Sequence, residues 1–244
     1  MADIKVAIVN ASTVLKDVDV SAAVATLQVQ VSRDFNAAWG IDADLSFVGG
    51  GGTAPAGVWQ LVVLDDSDQA GALGYHDLTA EGLPIGKVFA KSDLQYKSSW
   101  SVTISHELLE MLADPYINLT AFVQSSSTAG KLYAYEVCDA CEADELGYTI
   151  NGVLVSDFVY PAWFEPQLAK VGGVKYDFGG HIKAPLQLLK GGYIGMFDVT
   201  HGGGWTQINA DRAELTYAMR AKVGSRRERR RTPVDQWLYS KPKK

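Results

Sequence analysis

The residues best suited to chemistry are His106, Glu107 and Glu110, which form an H-E-x-x-E pattern within the stretch 98–115. The apolar residues around this pattern favour a partly buried helix. On such a helix His106 and Glu110 lie about 40° apart around the axis and about one turn apart along it, so both side chains can ligate the same metal ion. Glu107 lies beside that point, where it could accept a proton from a water held by the ion.

A catalytic zinc ion has three protein ligands and one open position, so a third ligand must come from another part of the chain. The segment 135–142 follows the helix, reads YEVCDACE and is dense in metal-ligating side chains. Glu136 is the first candidate for the third ligand, and Asp139 is the alternative. The pattern therefore predicts a metal site built from the helix and this segment.

At this point the sequence resembles a family of zincin-like proteins from bacteria, fungi and phages. Members carry a helix of the form S-H-E-x-x-E-x-x-x-D-P, then E-[IV]-x-D-x-C and V-S-x-F-x-x-P-x-W-F, matched here by 105–115, 136–141 and 155–164. The resemblance extends through 176–193 and 204–208, so it covers the second half of the chain. It implies a zincin-like architecture and a metal site more strongly than it implies peptidase activity.

Three further residues near these motifs have more than one interpretation. Asp114 precedes the proline that ends the helix, and we expect it to support His106 rather than to bind the ion; ligation and plain helix termination are the alternatives. Cys138 and Cys141 are the only cysteines. A redox pair and a pair of zinc ligands are both readings of C-x-x-C, but we expect structural roles for both thiols.

The predicted ligand set also bears on which metal is bound. One neutral histidine and two carboxylates leave no net charge around Zn²⁺, whereas two histidines and one carboxylate leave +1. A less positive site acidifies water less, and oxygen-rich ligation also admits Mn²⁺ or Ca²⁺. We therefore expect zinc, with another divalent cation as the alternative.

The rest of the first half predicts the sheet that positions this helix. Residues 21–39 have apolar side chains at helical spacing, with Ser21 as a candidate N-cap and Gly40 as the stop. Short β-rich runs predict five strands, at 4–10, 45–48, 58–64, 71–77 and 84–90. Tyr75 and His76 would then lie on an edge strand near the cleft, where we expect His76 to face water, with substrate contact as the alternative.

The second half predicts less regular structure. The Ser-rich stretch 124–130 suggests the tip of a hairpin whose return strand, 132–137, carries Glu136 back towards the helix, and Asn-Gly within 148–155 predicts a tight hairpin. Residues 156–209 read as an irregular lobe rich in aromatic residues and glycine, and 210–223 as a short terminal helix.

We accordingly expect an α+β fold of zincin-like type, with a mixed twisted sheet, an active-site helix and an irregular C-terminal lobe. A single domain would span 1–224, with the sheet and helix in 1–115 and the lobe in 116–224.

The remaining segment, 225–244, is a basic tail. The chain has a formal net charge of -6. The tail holds eight Lys or Arg against two acidic residues and so carries +6, which leaves -12 on 1–224. Such a tail could dock on an acidic protein surface or on nucleic acid, and Trp237, Leu238 and Tyr239 favour docking over simple solvation.

No secretory signal and no apolar run long enough to cross a membrane is visible, so we expect a cytoplasmic or virion-associated protein without a membrane partner.

Two functions compete at this point. The first is a zinc-dependent hydrolase, specifically a metallopeptidase acting on a peptide or protein. The second is a structural or binding protein, for example a phage particle component that assembles with other subunits and keeps the scaffold and its metal site.

Overall fold

The structure is a computed structural model that describes residues 2–68, 72–202 and 204–210, together with the backbone of 217–219 and 238–240. These residues form a mixed α+β fold with three sheets. The predicted α+β class is therefore confirmed. Within the described residues, no helix is both long enough and apolar enough to cross a membrane.

The first sheet is built from the five strands predicted in the first half of the chain. They are β1 (Ile4–Asn10), β2 (Ala43–Val48), β3 (Trp59–Leu64), β4 (Gly74–Leu78) and β5 (Pro84–Phe89). Their order is β2-β1-β3-β5-β4, and β4 alone runs antiparallel, at one edge of the sheet. Because β1 is buried over most of its length, it requires the continuous apolar run that the sequence shows.

The predicted helix at 21–39 is present but begins earlier and is not uniform. It consists of α1 (Asp17–Val29), a π-helical segment at Gln30–Phe35 and α2 (Asn36–Trp39). Gly40 ends it in the left-handed conformation, with φ of 68°. The expectation that Ser21 is the N-cap is wrong, because the N-cap position belongs to Lys16.

The motif-bearing helix is α4 (Trp100–Ala113), preceded by an unpredicted short helix, α3 (Ala90–Tyr96). Twelve of the fourteen residues of α4 are buried, because the helix packs on β3, β4 and β5 and also contacts the later hairpin. Asp114 follows α4 and is fully buried, and its Oδ1 accepts hydrogen bonds from the backbone N–H groups of Asn118 and Leu119. These two hydrogen bonds fix the backbone of the segment that follows the helix.

The second half contains more strands than the sequence predicts. A six-stranded sheet has the order β13-β12-β11-β10-β7-β6, and β8 and β9 form a separate hairpin. Asn151 and Gly152 turn this hairpin with φ values of 50° and 82°, which confirms the predicted turn. The bounds of these strands are β6 (Thr120–Ser126), β7 (Ala129–Ala134), β8 (Tyr148–Ile150), β9 (Val153–Val155), β10 (Tyr193–Asp198), β11 (Trp205–Asn209), β12 (Tyr217–Met219) and β13 (Leu238–Ser240).

Three expectations for this half need correction. The return strand predicted at 132–137 is β7 and ends at Ala134, so Glu136 lies just beyond it. The irregular lobe is confirmed for 156–192, but β10 and β11 form a regular hairpin after it. The terminal helix predicted at 210–223 is wrong at 217–219, where β12 forms; 211–216 and 220–223 lie outside the described residues.

The basic tail is described only at β13, which pairs with β12. Its arginine cluster, 226–231, lies outside the described residues. Docking of the tail on a partner therefore stays a prediction.

Two acidic side chains, Asp157 and Asp177, are packed together in the core of the C-terminal lobe. Asp157 Oδ1 accepts hydrogen bonds from the backbone N–H groups of Phe158 and Gly179, each at 2.8 Å. Asp157 Oδ2 receives no donor from the described residues, and the Asp177 carboxyl group lies beside it. Burial, followed by the hydrogen bond shared with Asp177, raises the pKa of Asp157 to about 8.

This pair predicts a pH dependence of stability. The folded chain binds a proton at Asp157 more tightly than the unfolded chain does, so this group stabilises the fold most at low pH, below its unfolded pKa of 3.8. That contribution is lost as the pH rises towards about 8. The Asp157→Asn amide can donate to Asp177 without titrating, so its free energy of unfolding should fall less than that of the wild type over this range.

Urea unfolding at several pH values measures the difference, with Glu81→Gln on an exposed turn as the control. Identical pH slopes for wild type and Asp157→Asn would contradict the assignment of a shared proton.

Candidate metal centre

Helix α4 directs both of its predicted ligands into the interior. His106 and Glu110 are 9% and 2% exposed, and His106 Nε2 lies 3.3 Å from Glu110 Oε2. The spacing of four residues thus brings the two side chains together, as the sequence predicts. Glu110 is further fixed because its Oε1 accepts a hydrogen bond from the backbone N–H of Cys138 at 3.1 Å.

The segment after β7 supplies further acidic ligands. Asp139, in a short 3-10 turn, places Oδ1 3.2 Å from His106 Nε2. Glu136, the first candidate for the third ligand, instead lies against His76, with Glu136 Oε2 at 3.2 Å from His76 Nε2. Asp139, the alternative third ligand, is therefore the residue of this segment that contacts His106 in the described structure.

His76 belongs to the same cluster, which the sequence did not predict. It is fully buried on β4, and its Nε2 lies 3.9 Å from Glu110 Oε2. The expectation that His76 faces water is wrong, because α4 packs on β4 and Glu136 approaches from the segment after β7. Nothing in the sequence of this edge strand indicates that His76 is buried.

Within the described residues, the candidate ligand atoms fall into two adjacent sets. One set is His76, Glu110 and Glu136, and the other is His106, Asp139 and Glu142; in each, one ligand atom per residue lies within 4.8 Å of the others. Glu110 Oε2 is near both histidines, at 3.3 Å from His106 Nε2 and 3.9 Å from His76 Nε2. Glu142 was part of the acidic segment noted in the sequence, but nothing in its spacing distinguished it as a ligand.

The separations between these groups fit metal ligands. Adjacent ligands on a tetrahedral ion with bonds near 2.1 Å lie about 3.4 Å apart, whereas a charge-assisted N–H···O hydrogen bond spans about 2.7–2.9 Å. His106 Nε2 is 3.3 Å from Glu110 and 3.2 Å from Asp139. Imidazole and carboxylate groups are also a donor set that zinc and manganese accept. The residues present therefore fit a divalent cation.

The electrostatics of the cluster reflect carboxylates crowded away from water. Burial and the negative charge of Glu110 raise the pKa of Asp139 well above its usual value, and burial raises the pKa of Glu142 to about 7. Burial alone would lower the pKa of His106, but the carboxylates of Glu110 and Asp139 outweigh it and raise that pKa well above the usual value. The interior is therefore strongly attractive to cations.

The charges of this cluster also act on Tyr193, the first residue of β10. Burial, and then the charges of Asp139, Glu142, Glu110 and Glu107, raise the pKa of its phenol well above 10. The phenol therefore stays neutral and can donate a hydrogen bond at the site. Sequence reasoning missed Tyr193, because it comes close only through the packing of β10 against the turn that holds Asp139.

Glu107 lies on the side of α4 that faces the edge of the first sheet. It is 6% exposed, and a Cβ added to Gly74 on β4 would lie 2.7 Å from Glu107 Cγ and 2.8 Å from Oε1. Thr103 lies at the same contact, 2.9 Å from that position. A glycine at 74 thus leaves the space that the Glu107 carboxylate occupies.

A buried polar network fixes α4 next to His106. Ser105 Oγ donates to Gln30 Oε1 at 2.7 Å and accepts from the backbone N–H of Ser156 at 3.0 Å, and Gln30 Nε2 donates to the carbonyl of Ser156. Gln30 opens the π-helical segment, and such segments often occur at functional sites. The network ties two other parts of the chain to Ser105, the residue that precedes the histidine.

The remaining candidates have simpler surroundings. Cys138 and Cys141 are free, buried thiols, and burial raises the pKa of each, so both stay protonated. His201 is exposed and its Nδ1 pairs with Asp198 at 3.0 Å, and His181 is also exposed. Both histidines therefore lie outside the cluster.

Comparisons of the chain with protein-family models, with curated proteins and with solved structures found no match.

The position of Asp139 depends on Gly192, the residue just before β10. A Cβ added to Gly192 would lie 2.5 Å from the carbonyl oxygen of Ala140 and 2.9 Å from that of Asp139, which are rigid backbone atoms. Gly172→Ala is the matched control, because it has no atom within 4 Å of the added Cβ.

We expect Gly192→Ala to displace the turn that carries Asp139, so that zinc affinity falls by about tenfold or more, which corresponds to about 1.4 kcal/mol. Isothermal titration of metal-free protein with zinc measures this change, and urea unfolding of the same samples checks the fold. Equal affinities for the two alanine variants would contradict the placement of Asp139 in the site.

Proposed function

We infer that the chain is a metal-dependent hydrolase of zincin-like type, with a peptide or protein as substrate. The observation that carries this inference is that Glu110 Oε2 and Asp139 Oδ1 lie 3.3 and 3.2 Å from His106 Nε2, with Glu107 next to the histidine on the same helix. The resemblance of the motif 105–115 to zincin-like proteins points to the same chemistry. The order of the first sheet, with parallel strands and an antiparallel edge strand beside α4, is compatible with such a scaffold.

A divalent ion at this point would act as a Lewis acid that acidifies water and polarises a carbonyl group. His106, Glu110 and Asp139 would hold it, and their hydrogen-bonded and packed positions limit their movement. Glu107 accepts the proton of the attacking water at its carboxylate and returns it to the leaving amine. The neutral phenol of Tyr193, on the strand packed against the Asp139 turn, would be a hydrogen-bond donor to a substrate oxygen that gains negative charge.

The charge of the donor set limits how strongly the site activates water. A neutral His106 with two ionised carboxylates balances a divalent ion completely, so the acidifying effect is weaker than with two histidines and one carboxylate. Moderate turnover is the expected consequence. Because oxygen donors dominate, activity assays include Mn²⁺ as well as Zn²⁺.

A structural metal site is the second candidate, favoured by the burial of the ligands. The side chain of His106 is 11% exposed and that of Glu110 is 3% exposed, and closed sites are typical of structural metals. In that case the chain would be a binding or assembly protein, such as a phage particle component. Glu107 separates the two functions, since a structural ion needs no carboxylate beside its ligands.

Glu107→Gln tests the hydrolase directly. The amide cannot accept a proton, so cleavage of a quenched fluorescent peptide library should fall by about 10²- to 10⁴-fold in kcat/KM. Metal content, measured by plasma mass spectrometry on protein purified without chelators or a histidine tag, should stay unchanged. Glu145→Gln, at an exposed position on the surface, is the matched control and should keep full activity.

Two outcomes would contradict the hydrolase. Full activity of Glu107→Gln would remove this residue from the chemistry. A wild-type chain that holds its metal but cleaves no member of the library with either Zn²⁺ or Mn²⁺ would favour the structural candidate.

A further inference from the structure

We propose that the cluster binds two divalent cations, with the carboxylate of Glu110 bridging them. The first ion is the one held by His106 and Asp139, so the proposal rests on the metal site of the proposed function. The second ion takes His76, Glu136 and the shared Glu110. This second position would make the centre dinuclear.

The geometry of the second position repeats that of the first. His76 Nε2 lies 3.2 Å from Glu136 Oε2 and 3.9 Å from Glu110 Oε2. These separations match neighbouring ligands on an ion, which lie about 3.4 Å apart in a tetrahedral site. Without an ion, the shorter of the two is a hydrogen bond between His76 and Glu136.

Glu110 is placed to serve both ions. Its Oε2 lies 3.3 Å from His106 Nε2 and 3.9 Å from His76 Nε2. Paired catalytic ions sit about 3.5–4 Å apart and share a ligand oxygen or carboxylate. The remaining oxygen, Oε1, is held by the backbone N–H of Cys138, which fixes the orientation of the carboxylate.

The burial of His76 supports a role as a ligand. The imidazole is completely buried, and its Nδ1 has no hydrogen-bond partner among the described residues. The ring is therefore oriented by what lies at Nε2, and the described groups there are two carboxylates. Without an ion, an Nε2–H group of this ring donates to Glu136; an ion would take the place of that proton, and the Nε2 lone pair would then bind it.

The charge of the cluster is matched by two divalent ions. Glu110, Glu136, Asp139 and Glu142 carry four negative charges when all are ionised, and neutral imidazoles add none. One divalent cation balances two of these charges, and the other two must then be balanced by protons or by a second ion. Two divalent cations neutralise the set.

The test counts ions on the full chain. Metal-free protein is dialysed to equilibrium against Zn²⁺, and in a parallel series against Mn²⁺, and the bound metal per chain is measured by plasma mass spectrometry. The wild type is expected to hold two ions, His76→Ala and Glu136→Gln one each, and the control His201→Ala, at an exposed histidine outside the cluster, two. Circular dichroism and urea unfolding of the metal-free variants establish that each is folded.

The pairing of the ions has its own signature in the Mn²⁺ series. Two Mn²⁺ ions that share the Glu110 carboxylate are magnetically coupled, so the second equivalent should broaden the resolved paramagnetic resonance signal of the first. Glu136→Gln should keep the signal of an isolated ion.

Each outcome decides the proposal. A wild type that saturates at one ion overturns the dinuclear centre and leaves the proposed hydrolase standing, while a wild type that binds none overturns both. Two ions in the wild type that survive both His76→Ala and Glu136→Gln place the second ion elsewhere and overturn the assignment. Loss of one ion in either folded variant, with two retained in His201→Ala, supports it.

Discussion

The burial of several carboxylates beside two imidazoles is the constraint on which this fold depends. Glu110, Glu136 and Asp139 are each at most 5% exposed, and ionised groups withdrawn from water must be compensated by opposite charge or by protons. Protonation gives one solution, which the raised pKa values of His106 and Asp139 express. Binding of divalent cations gives the other, and the separations between the ligand atoms match it.

The surrounding elements hold these charged side chains in position. Helix α4 lies against the first sheet, where Gly74 leaves the space for Glu107, and Gly192 allows the turn with Asp139 to approach the second sheet closely. The π-helical segment contributes Gln30, which meets Ser105 beside the histidine. A site built from a helix, a strand and a turn is stable only when all of them are packed, so its chemistry is coupled to folding of both halves of the chain.

Local patterns were sufficient to predict the parts of the site that share one element. The H-E-x-x-E spacing placed His106 and Glu110 together, and continuous apolar runs located β1 and β3, because helix geometry and buried strands leave direct marks in sequence. His76, Glu142 and Tyr193 join the cluster through tertiary packing alone, which no local spacing records. The π-helical segment was missed for a similar reason. The residues of Gln30–Phe35 are ordinary for a helix, and the segment is held by a contact distant in sequence, between Gln30 and Ser156. The zincin-like family, the substrate and the basic tail remain predictions.

Anomalous X-ray diffraction from crystals grown with Zn²⁺, recorded on both sides of the zinc absorption edge, tests the central claim most directly. The account predicts an edge-specific peak at about 2.0–2.2 Å from His106 Nε2 and from carboxylate oxygens of Glu110 and Asp139. A map without such a peak, in which these side chains contact only one another at hydrogen-bond distance, would show that protons and not metal ions balance the buried charge.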